Sequence, residues 1–151
     1  GRLLTQGNPR EVLMSGLTLS QSGDEPSEVE NVLNGYLINS DRSSGWSKVR
    51  LESGRGLLIP YTIGEPEKFL QIRIRGDEIL VATHRPDGIS AGNVLRGNIT
   101  KIDTIDGLSV LRVDAGDIYY SRLTQATVDR LKLEVGNEIY LIIKVRSCMV
   151  L

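Results

Sequence analysis

The sequence has few of the residues on which several common kinds of site depend. One cysteine, Cys148, excludes an intramolecular disulfide and a cysteine-cluster metal site, and one histidine, His84, leaves little for zinc. No apolar run approaches the roughly 20 residues that a membrane-spanning helix needs, and no signal-peptide pattern opens the chain. We therefore expect a soluble protein of the reducing cytoplasm.

The chain also lacks an excess of charge and is poor in aromatic residues. Its 18 Lys and Arg residues nearly balance 19 Asp and Glu residues, and the net charge of −1 gives no long-range attraction for nucleic acid or anionic membrane. With one Trp, one Phe and an aromatic content of 5 %, the stacking platforms of single-strand nucleic-acid binders are missing. The apolar content of 40 % suffices for a folded core built mainly of Ile, Leu and Val.

A short internal repeat organises the chain. The segment Asn-Val-Leu-Asn-Gly at 31–35 returns as Asn-Val-Leu-Arg-Gly at 93–97, and each copy is followed by apolar runs separated by Gly-containing turns. A repeat defines the size of one structural unit. Two copies in 151 residues predict two similar β units packed as one body.

The first unit is predicted over residues 30–88. Residues 48–52 and 69–75 alternate between apolar and polar residues, which is typical of strands with one buried face. Residues 57–61 form a further apolar run that should end near Pro60.

The second unit is predicted over residues 89–151. Asp106-Gly107 between two apolar runs is a strong signal for a hairpin. Strands should cover 108–113, 117–123 and 139–145, with a short helix over 124–131. The fold class is therefore mainly β, with two small OB-like barrel units in tandem and short helices.

Two segments precede these units. In residues 1–16, Asn8 is an N-cap candidate and Pro9 suits the first helical position, so a short helix ending near Gly16 is predicted. Residues 17–29 are polar and rich in Ser and Gly, as linkers are.

The motif around the second repeat resembles a known family. Ser-Ala-Gly-Asn-Val-Leu-Arg-Gly at 90–97 is similar to the Ser-Ala-Arg-Asn-x-Leu/Phe-x-Gly signature of Mop domains, the molybdate- and tungstate-binding modules of the TOBE group. Leu123-Thr124 and Ile143-Lys144 agree with the family's later motifs, and residues 72–82 resemble the half that precedes Mop in the ATP-binding subunit of molybdate ABC importers. Residues 1–12 resemble the closing segment of an ABC ATPase domain.

The resemblance implies oxyanion-binding residues at Ser90, Asn93, Thr124 and Lys144. A doubly charged tetrahedral oxyanion needs hydroxyl and N–H donors from several directions and at least one cation. Free N–H groups at a helix start favour anions, which suits Thr124, and Lys144 would supply charge. Plainer roles remain open: Asn93 could hold a turn, Thr124 could only cap the helix, and Lys144 could be solvated on an edge strand.

The chain departs from the family at two positions of this site. The signature arginine is Gly92, and the small or hydroxyl residue after the lysine is Val145. Arg146 is a replacement for the lost charge if strand alternation continues without a bulge and puts it on the face of Lys144.

The resemblance thus implies a regulatory and oligomerisation domain of a molybdate or tungstate ABC transporter ATP-binding protein. It would bind the oxyanion in the cytoplasm as a homodimer, and act on a membrane permease at the inner membrane through the ATPase domain of its parent chain. The chain has no Gly-x-x-x-x-Gly-Lys-Ser/Thr phosphate loop, so no ATP hydrolysis and no cofactor are expected of this segment. The alternative is a structural dimerisation domain that has lost the oxyanion.

Overall fold

The structure, a computed structural model, describes Leu13–Met14, Leu17–Leu19 and residues 29–151. These described residues form twelve strands and one α-helix, in this order: β1 Leu13–Met14, β2 Leu17–Leu19, β3 Val29–Asp41, β4 Trp46–Leu51, β5 Gly56–Pro60, β6 Phe69–Arg75, β7 Leu80–Ala82, β8 Asn93–Ile105, β9 Leu108–Asp114, β10 Ile118–Thr124, α1 Gln125–Leu131, β11 Glu138–Ile143 and β12 Met149–Val150. Short 3-10 turns lie at Gly76–Glu78 and Val145–Ser147. No helix among the described residues is long and apolar enough to cross a membrane.

Two curled antiparallel sheets contain these strands. The first has the order β1-β2-β3-β4-β5, with β6 on the other edge of β3 and β12 beside β6. The second has the order β10-β9-β8-β11-β7. The long strands β3 and β8 carry the two copies of the repeat and run through the middle of their sheets, so the predicted mainly β fold of two OB-like units is confirmed.

The two units exchange their last strands. β7, which follows the first unit in sequence, pairs with β11 of the second sheet, with Leu141 opposite Val81. β12, at the end of the second unit, pairs with β6 of the first sheet, with Met149 opposite Arg73. The predicted division at residues 88 and 89 therefore separates two sequence repeats, but each sheet contains a strand from both sides of it.

The strand predictions hold because each segment has one apolar face. Val49 and Leu51 are buried on β4, and Ile72 and Ile74 are buried on β6, as the alternation requires. Asp106 and Gly107 both have positive φ, which is the geometry of a type I′ hairpin turn between β8 and β9.

Among the described residues, one large hydrophobic cluster joins the two sheets. It includes Ile72 and Ile74 from the first sheet and Leu111, Leu141 and Ile143 from the second, all fully buried. A core shared in this way means that neither unit encloses its own apolar residues.

One part of the amino-terminal prediction is wrong. Leu13–Met14 forms a strand that pairs with Leu17 and Thr18, and Leu17–Leu19 pairs in turn with Val29–Asn31 of β3. A helix over 1–16 is therefore contradicted at Leu13–Met14, and a linker over 17–29 is contradicted at Leu17–Leu19 and at Val29, which begins β3. Strand pairing outweighs the local capping signal here. The remainder of both segments lies outside the described residues.

Candidate functional site

A cleft of about 420 Å³ opens at the edge of the second sheet. The end of β11, the exchanged strand β7, the 3-10 turn at Val145–Ser147 and the connection before β8 surround it. Its lining residues are Glu78, Leu80, Ile89, Ser90, Ala91, Ile142, Lys144 and Ser147. The exchange of β7 creates this cleft, because Leu80 lies opposite Ile142 in the strand pair and forms one wall.

Two of the predicted oxyanion-binding residues, Ser90 and Lys144, line this cleft together. Both residues are exposed, and within residues 29–151 neither side chain has a recorded hydrogen-bond or ion-pair partner. Their hydroxyl and ammonium groups are therefore available to an anion. Cation and hydroxyl donors of this kind are what a tetrahedral oxyanion requires.

Sequence reasoning missed two polar residues of the cleft. Ser147 adds a second hydroxyl and stands three positions after Lys144, on the 3-10 turn. Glu78 comes from the first unit, on the turn before β7, and brings a negative charge to the same wall. Only the strand exchange brings Glu78 here, and no local pattern predicts that exchange.

Asn93 has a structural role that uses both ends of its amide. Its Oδ1 accepts the N–H of Leu58 at 2.8 Å, and its Nδ2 donates to the carbonyl of the same residue at 3.0 Å. These two hydrogen bonds fasten the start of β8 to strand β5 of the first sheet, and the Asn93 side chain that makes them is only 5 % exposed. One hydrogen on Nδ2 is left for any ligand.

Thr124 lies far from this cleft within one chain. It ends β10 opposite Leu108, which in turn pairs with Ile105 at the far end of β8 from Asn93. Its hydroxyl accepts the N–H of Thr127 at 3.1 Å and caps α1 as predicted. The fold therefore brings Ser90 and Lys144 together and leaves Thr124 apart.

Arg146 does not line the cleft. Strand β11 ends at Ile143, and residues 145–147 form a 3-10 turn, so the alternation that would have placed Arg146 beside Lys144 stops before it. Arg146 is exposed on that turn.

The two departures from the family signature touch each other. A Cβ atom at Gly92 would lie 2.5 Å from Cγ2 of Val145, closer than real carbon contacts allow. Val145 thus occupies the space that a side chain at position 92 would enter. Gly92 and Val145 are therefore a matched pair: because the side chain of Val145 is bulky, position 92 has no room for a side chain.

The sole cysteine, Cys148, follows the cleft residue Ser147 in sequence and is buried. Burial raises the pKa of the Cys148 thiol to about 12, and the nearby Glu78 carboxylate acts in the same direction. A thiol this far from ionisation at neutral pH is a poor nucleophile and metal ligand. Among the described residues, no group of three or more His, Cys, Asp or Glu side chains could hold a metal ion.

Comparison with known proteins places the chain beside proteins of molybdenum import. Residues 89–150 match the TOBE domain family. The chain is 37 % identical over 119 residues to a molybdenum import ATP-binding protein, ModC, of Rhizobium etli, covering 78 % of this chain and 33 % of the relative. It is 35 % identical over 130 residues to ModC of Rhizobium johnstonii, covering 85 % of this chain and 36 % of the relative. The chain spans about a third of the length of these relatives.

A solved structure has the same fold. The cytoplasmic molybdate-binding protein ModG, with molybdate bound, superposes with a TM-score of 0.71 at 20 % identity, covering 80 % of this chain and 94 % of ModG. The resemblance inferred from the sequence is thereby confirmed: residues 89–150 match the TOBE domain family, and the chain is similar to the ATP-binding proteins of molybdenum import.

Proposed function

We propose that the chain is the regulatory part of a molybdate-import ATP-binding protein and binds molybdate or tungstate in the cleft of Ser90 and Lys144. The observation that carries the proposal is the convergence of these two side chains, both without a recorded partner among residues 29–151, in one cleft. The relatives named for molybdenum import and the molybdate-bound ModG support this choice of anion. Ser147 would donate a second hydroxyl.

A second copy of the chain would complete the site. Ser90 and Lys144 alone surround an anion with donors on one side only, and Thr124 lies at the far end of the same sheet. Two chains related by a twofold axis present each site residue twice, so Thr124 of a partner can meet Lys144 without any change in the fold. We therefore propose a homodimer with oxyanion sites between its chains.

Regulation follows from differential binding. In the whole protein an ABC ATPase domain would precede this segment, act on a membrane permease and keep the chain in the cytoplasm at the inner membrane. An oxyanion that binds one arrangement of the two chains more tightly than another shifts the balance between these arrangements. A few kcal/mol of differential affinity is enough to couple the anion concentration to the ATPase.

The alternative function is a structural dimerisation domain without an anion. The contact of Gly92 with Val145 favours it, because apolar bulk fills the place of the family's planar guanidinium. Glu78 in the cleft wall adds a repulsive charge. Normal dimerisation with no response to oxyanions would support this alternative.

Thermal unfolding with molybdate, tungstate and sulfate, each in excess, tests the proposal. An anion present at about 100 times its dissociation constant adds about 2.7 kcal/mol to the folded state. For a domain of this size the gain is several degrees, at about 2–4 °C per kcal/mol. Molybdate and tungstate should raise the melting temperature, and sulfate should not. No shift with any of the three would refute oxyanion binding.

Matched variants locate the site. Lys144→Ala should abolish the shift, whereas Lys68→Ala, which removes an exposed lysine of the first unit, should leave it unchanged. The double variant Gly92→Arg with Val145→Ser restores the family signature and removes the 2.5 Å clash in one step. Tighter molybdate binding by this variant than by the parent chain would show that the site keeps its architecture.

A further inference from the structure

Glu78 and Lys144 lie on facing walls of the cleft, at the end of a strand pair. In the pairing of β7 with β11, Leu80 is opposite Ile142, and the same register continued by two residues on each strand places Glu78 opposite Lys144. Residues two apart on a strand share a face, and all four of these residues line the cleft. A carboxylate and an ammonium group therefore face each other across it.

These two side chains border an opening and do not form a closed ion pair. The chain leaves the strand pair on both sides at this level, because Glu78 ends one 3-10 turn and Lys144 directly precedes another. Across residues 29–151, neither side chain makes a hydrogen bond or an ion pair with another residue. The backbone at both positions is held in place, since Ile79 is 1 % exposed and the Lys144 carbonyl accepts the N–H of Ser147 at 3.0 Å. The space between the two charges is therefore part of the fold.

The other charged groups around this turn already have partners of opposite charge. Strands β3 and β10 pack against the 3-10 turn that Glu78 ends. On the same turn, the Asp77 carboxylate accepts from Arg75 at 3.2 Å and lies 3.9 Å from Nη2 of Arg122 on β10. On β3, the Glu30 carboxylate lies 3.7 Å from an arginine guanidinium of β6. The charge of Glu78 is thus directed at the cleft.

We infer that Glu78 makes oxyanion binding in the cleft proton-linked: a doubly charged oxyanion binds together with one proton from solution, which the Glu78 carboxyl holds and directs at an oxyanion oxygen. The charges of Glu78 and Lys144 cancel, so a bound dianion would otherwise face a carboxylate. A like charge nearby favours the protonated form of a carboxyl group. Once protonated, the carboxyl is a hydrogen-bond donor, so it attracts the oxyanion that its ionised form repels. This inference rests on the proposed function, because it concerns the same cleft.

Proton linkage gives the site a direction of pH dependence. If the bound anion favours the protonated carboxyl, the proton favours the bound anion by the same factor. Uptake of one proton strengthens binding by about tenfold for each unit by which the pH falls, over the range in which Glu78 is ionised in the free chain and protonated in the complex. Oxyanion binding should therefore be tighter at about pH 6 than at about pH 8.

Isothermal titration calorimetry with molybdate counts the protons taken up for each anion bound. The whole chain is titrated at about pH 6 in two buffers that differ in their enthalpy of ionisation. The parent should take up close to one proton. Glu78→Gln has a neutral donor of the same size and should take up none. This variant should also bind molybdate more tightly than the parent at about pH 8, and the two affinities should converge as the pH falls.

His84→Gln is the matched control, because histidine is the side chain that ordinarily gains a proton in this pH range. His84 is the one histidine of the chain and does not line the cleft, so its variant should keep the proton uptake. Two other titratable groups are buried and already protonated, since burial raises the pKa of Cys148 to about 12 and also raises the pKa of Tyr119. Neither group can gain a proton when the anion binds.

The outcomes separate this inference from the proposed function. Molybdate binding by the parent without proton uptake, or uptake that persists in Glu78→Gln, would overturn the inference and leave the proposed function standing. Binding by Glu78→Gln at about pH 8, where the parent binds weakly or not at all, would support the inference. No binding by either protein between about pH 6 and pH 8 would overturn both. Glu78 is exposed, so the variant should melt like the parent without anion, and the proton count of the parent is decisive by itself.

Discussion

Asn31 and Asn93 make the same pair of hydrogen bonds across the two sheets. Asn31 of the first sheet bonds to a residue of the second sheet, and Asn93 of the second sheet bonds to a residue of the first. Asn31 accepts the N–H of Tyr120 at 2.8 Å and donates to its carbonyl at 2.9 Å, and Asn93 does the same with Leu58 at 2.8 Å and 3.0 Å. Both asparagines begin a copy of the repeat, and Leu58 and Tyr120 are as far apart in sequence as the asparagines are. The asparagine that begins each copy of the repeat thus links its own unit to the other unit by two hydrogen bonds.

The two asparagines should contribute unequally to the free energy of unfolding. Asn31 is fully buried and also donates to the carbonyl of Ile74 at 3.1 Å, whereas Asn93 is 5 % exposed and its bonds are partly buried. Asn31→Ala leaves several backbone groups without partners away from water, and each costs about 1–3 kcal/mol. We expect a loss of about 3–5 kcal/mol for Asn31→Ala and about 1–2 kcal/mol for Asn93→Ala, measured by urea unfolding. Equal losses would contradict the difference in burial.

Most strands could be predicted from the alternation of apolar and polar residues and from the turn residues between them. The pairing of the strands could not be predicted in this way. The apolar faces of β4 and β6 and the Asp106-Gly107 turn act locally, so sequence reasoning found them. Tyr120 shows the limit: it alternates with Tyr119, which is typical of a strand with one exposed face, yet both are buried. Tyr120 packs against Val29 of the other unit, and only the three-dimensional contact provides that cover.

The site residues follow the same division. The family motif identified Ser90 and Lys144, which do share a cleft, because both lie within a few residues of paired strand ends. It could not identify Glu78, which reaches the cleft by strand exchange. Nor could it show that Gly92 and Val145 compensate each other, because that relation is a distance between side chains.

Gly92 and Val145 should be energetically coupled. Gly92→Ala alone forces a carbon atom against Val145, and overpacking of this kind costs about 1–3 kcal/mol. Val145→Ala removes the opposing methyl groups, so the double variant should recover most of the loss caused by the new alanine. A double-mutant cycle of unfolding free energies measures the coupling. Additive effects of the two substitutions would mean that the backbone moves to relieve the contact.

Stability should decline at alkaline pH because of buried acidic groups. Burial raises the pKa of Cys148 from 9.0 to about 12 and also raises the pKa of Tyr119. The unfolded chain therefore loses these protons first. The stability they confer is complete below about pH 9 and falls as the pH rises toward 12, by at most about 1.4 kcal/mol per pH unit for each group.

Cys148→Ala isolates the cysteine contribution to this pH dependence. The variant loses some packing at every pH, but its unfolding free energy should decline less steeply than that of the parent between pH 9 and pH 10. Urea unfolding at both values gives the two slopes. Parallel slopes would show that Cys148 ionises as easily in the folded chain as in the unfolded one.

Because the two units exchange strands β7 and β12, we expect that neither residues 29–88 nor residues 89–151 fold alone. Residues 29–88 lack β12, which covers the edge of β6, and residues 89–151 lack β7, which covers the edge of β11. Each half would also expose core residues such as Ile72 or Leu141 that the other half covers. We expect each half to be unfolded or aggregated by circular dichroism, and an equimolar mixture to regain the β spectrum and a cooperative melt. A second half ending at residue 148 is the control, because it keeps the sequence repeat but cannot supply β12, and it should complement more weakly. An isolated half that melts cooperatively would mean that the sequence repeat, and not the exchanged sheet, is the folding unit.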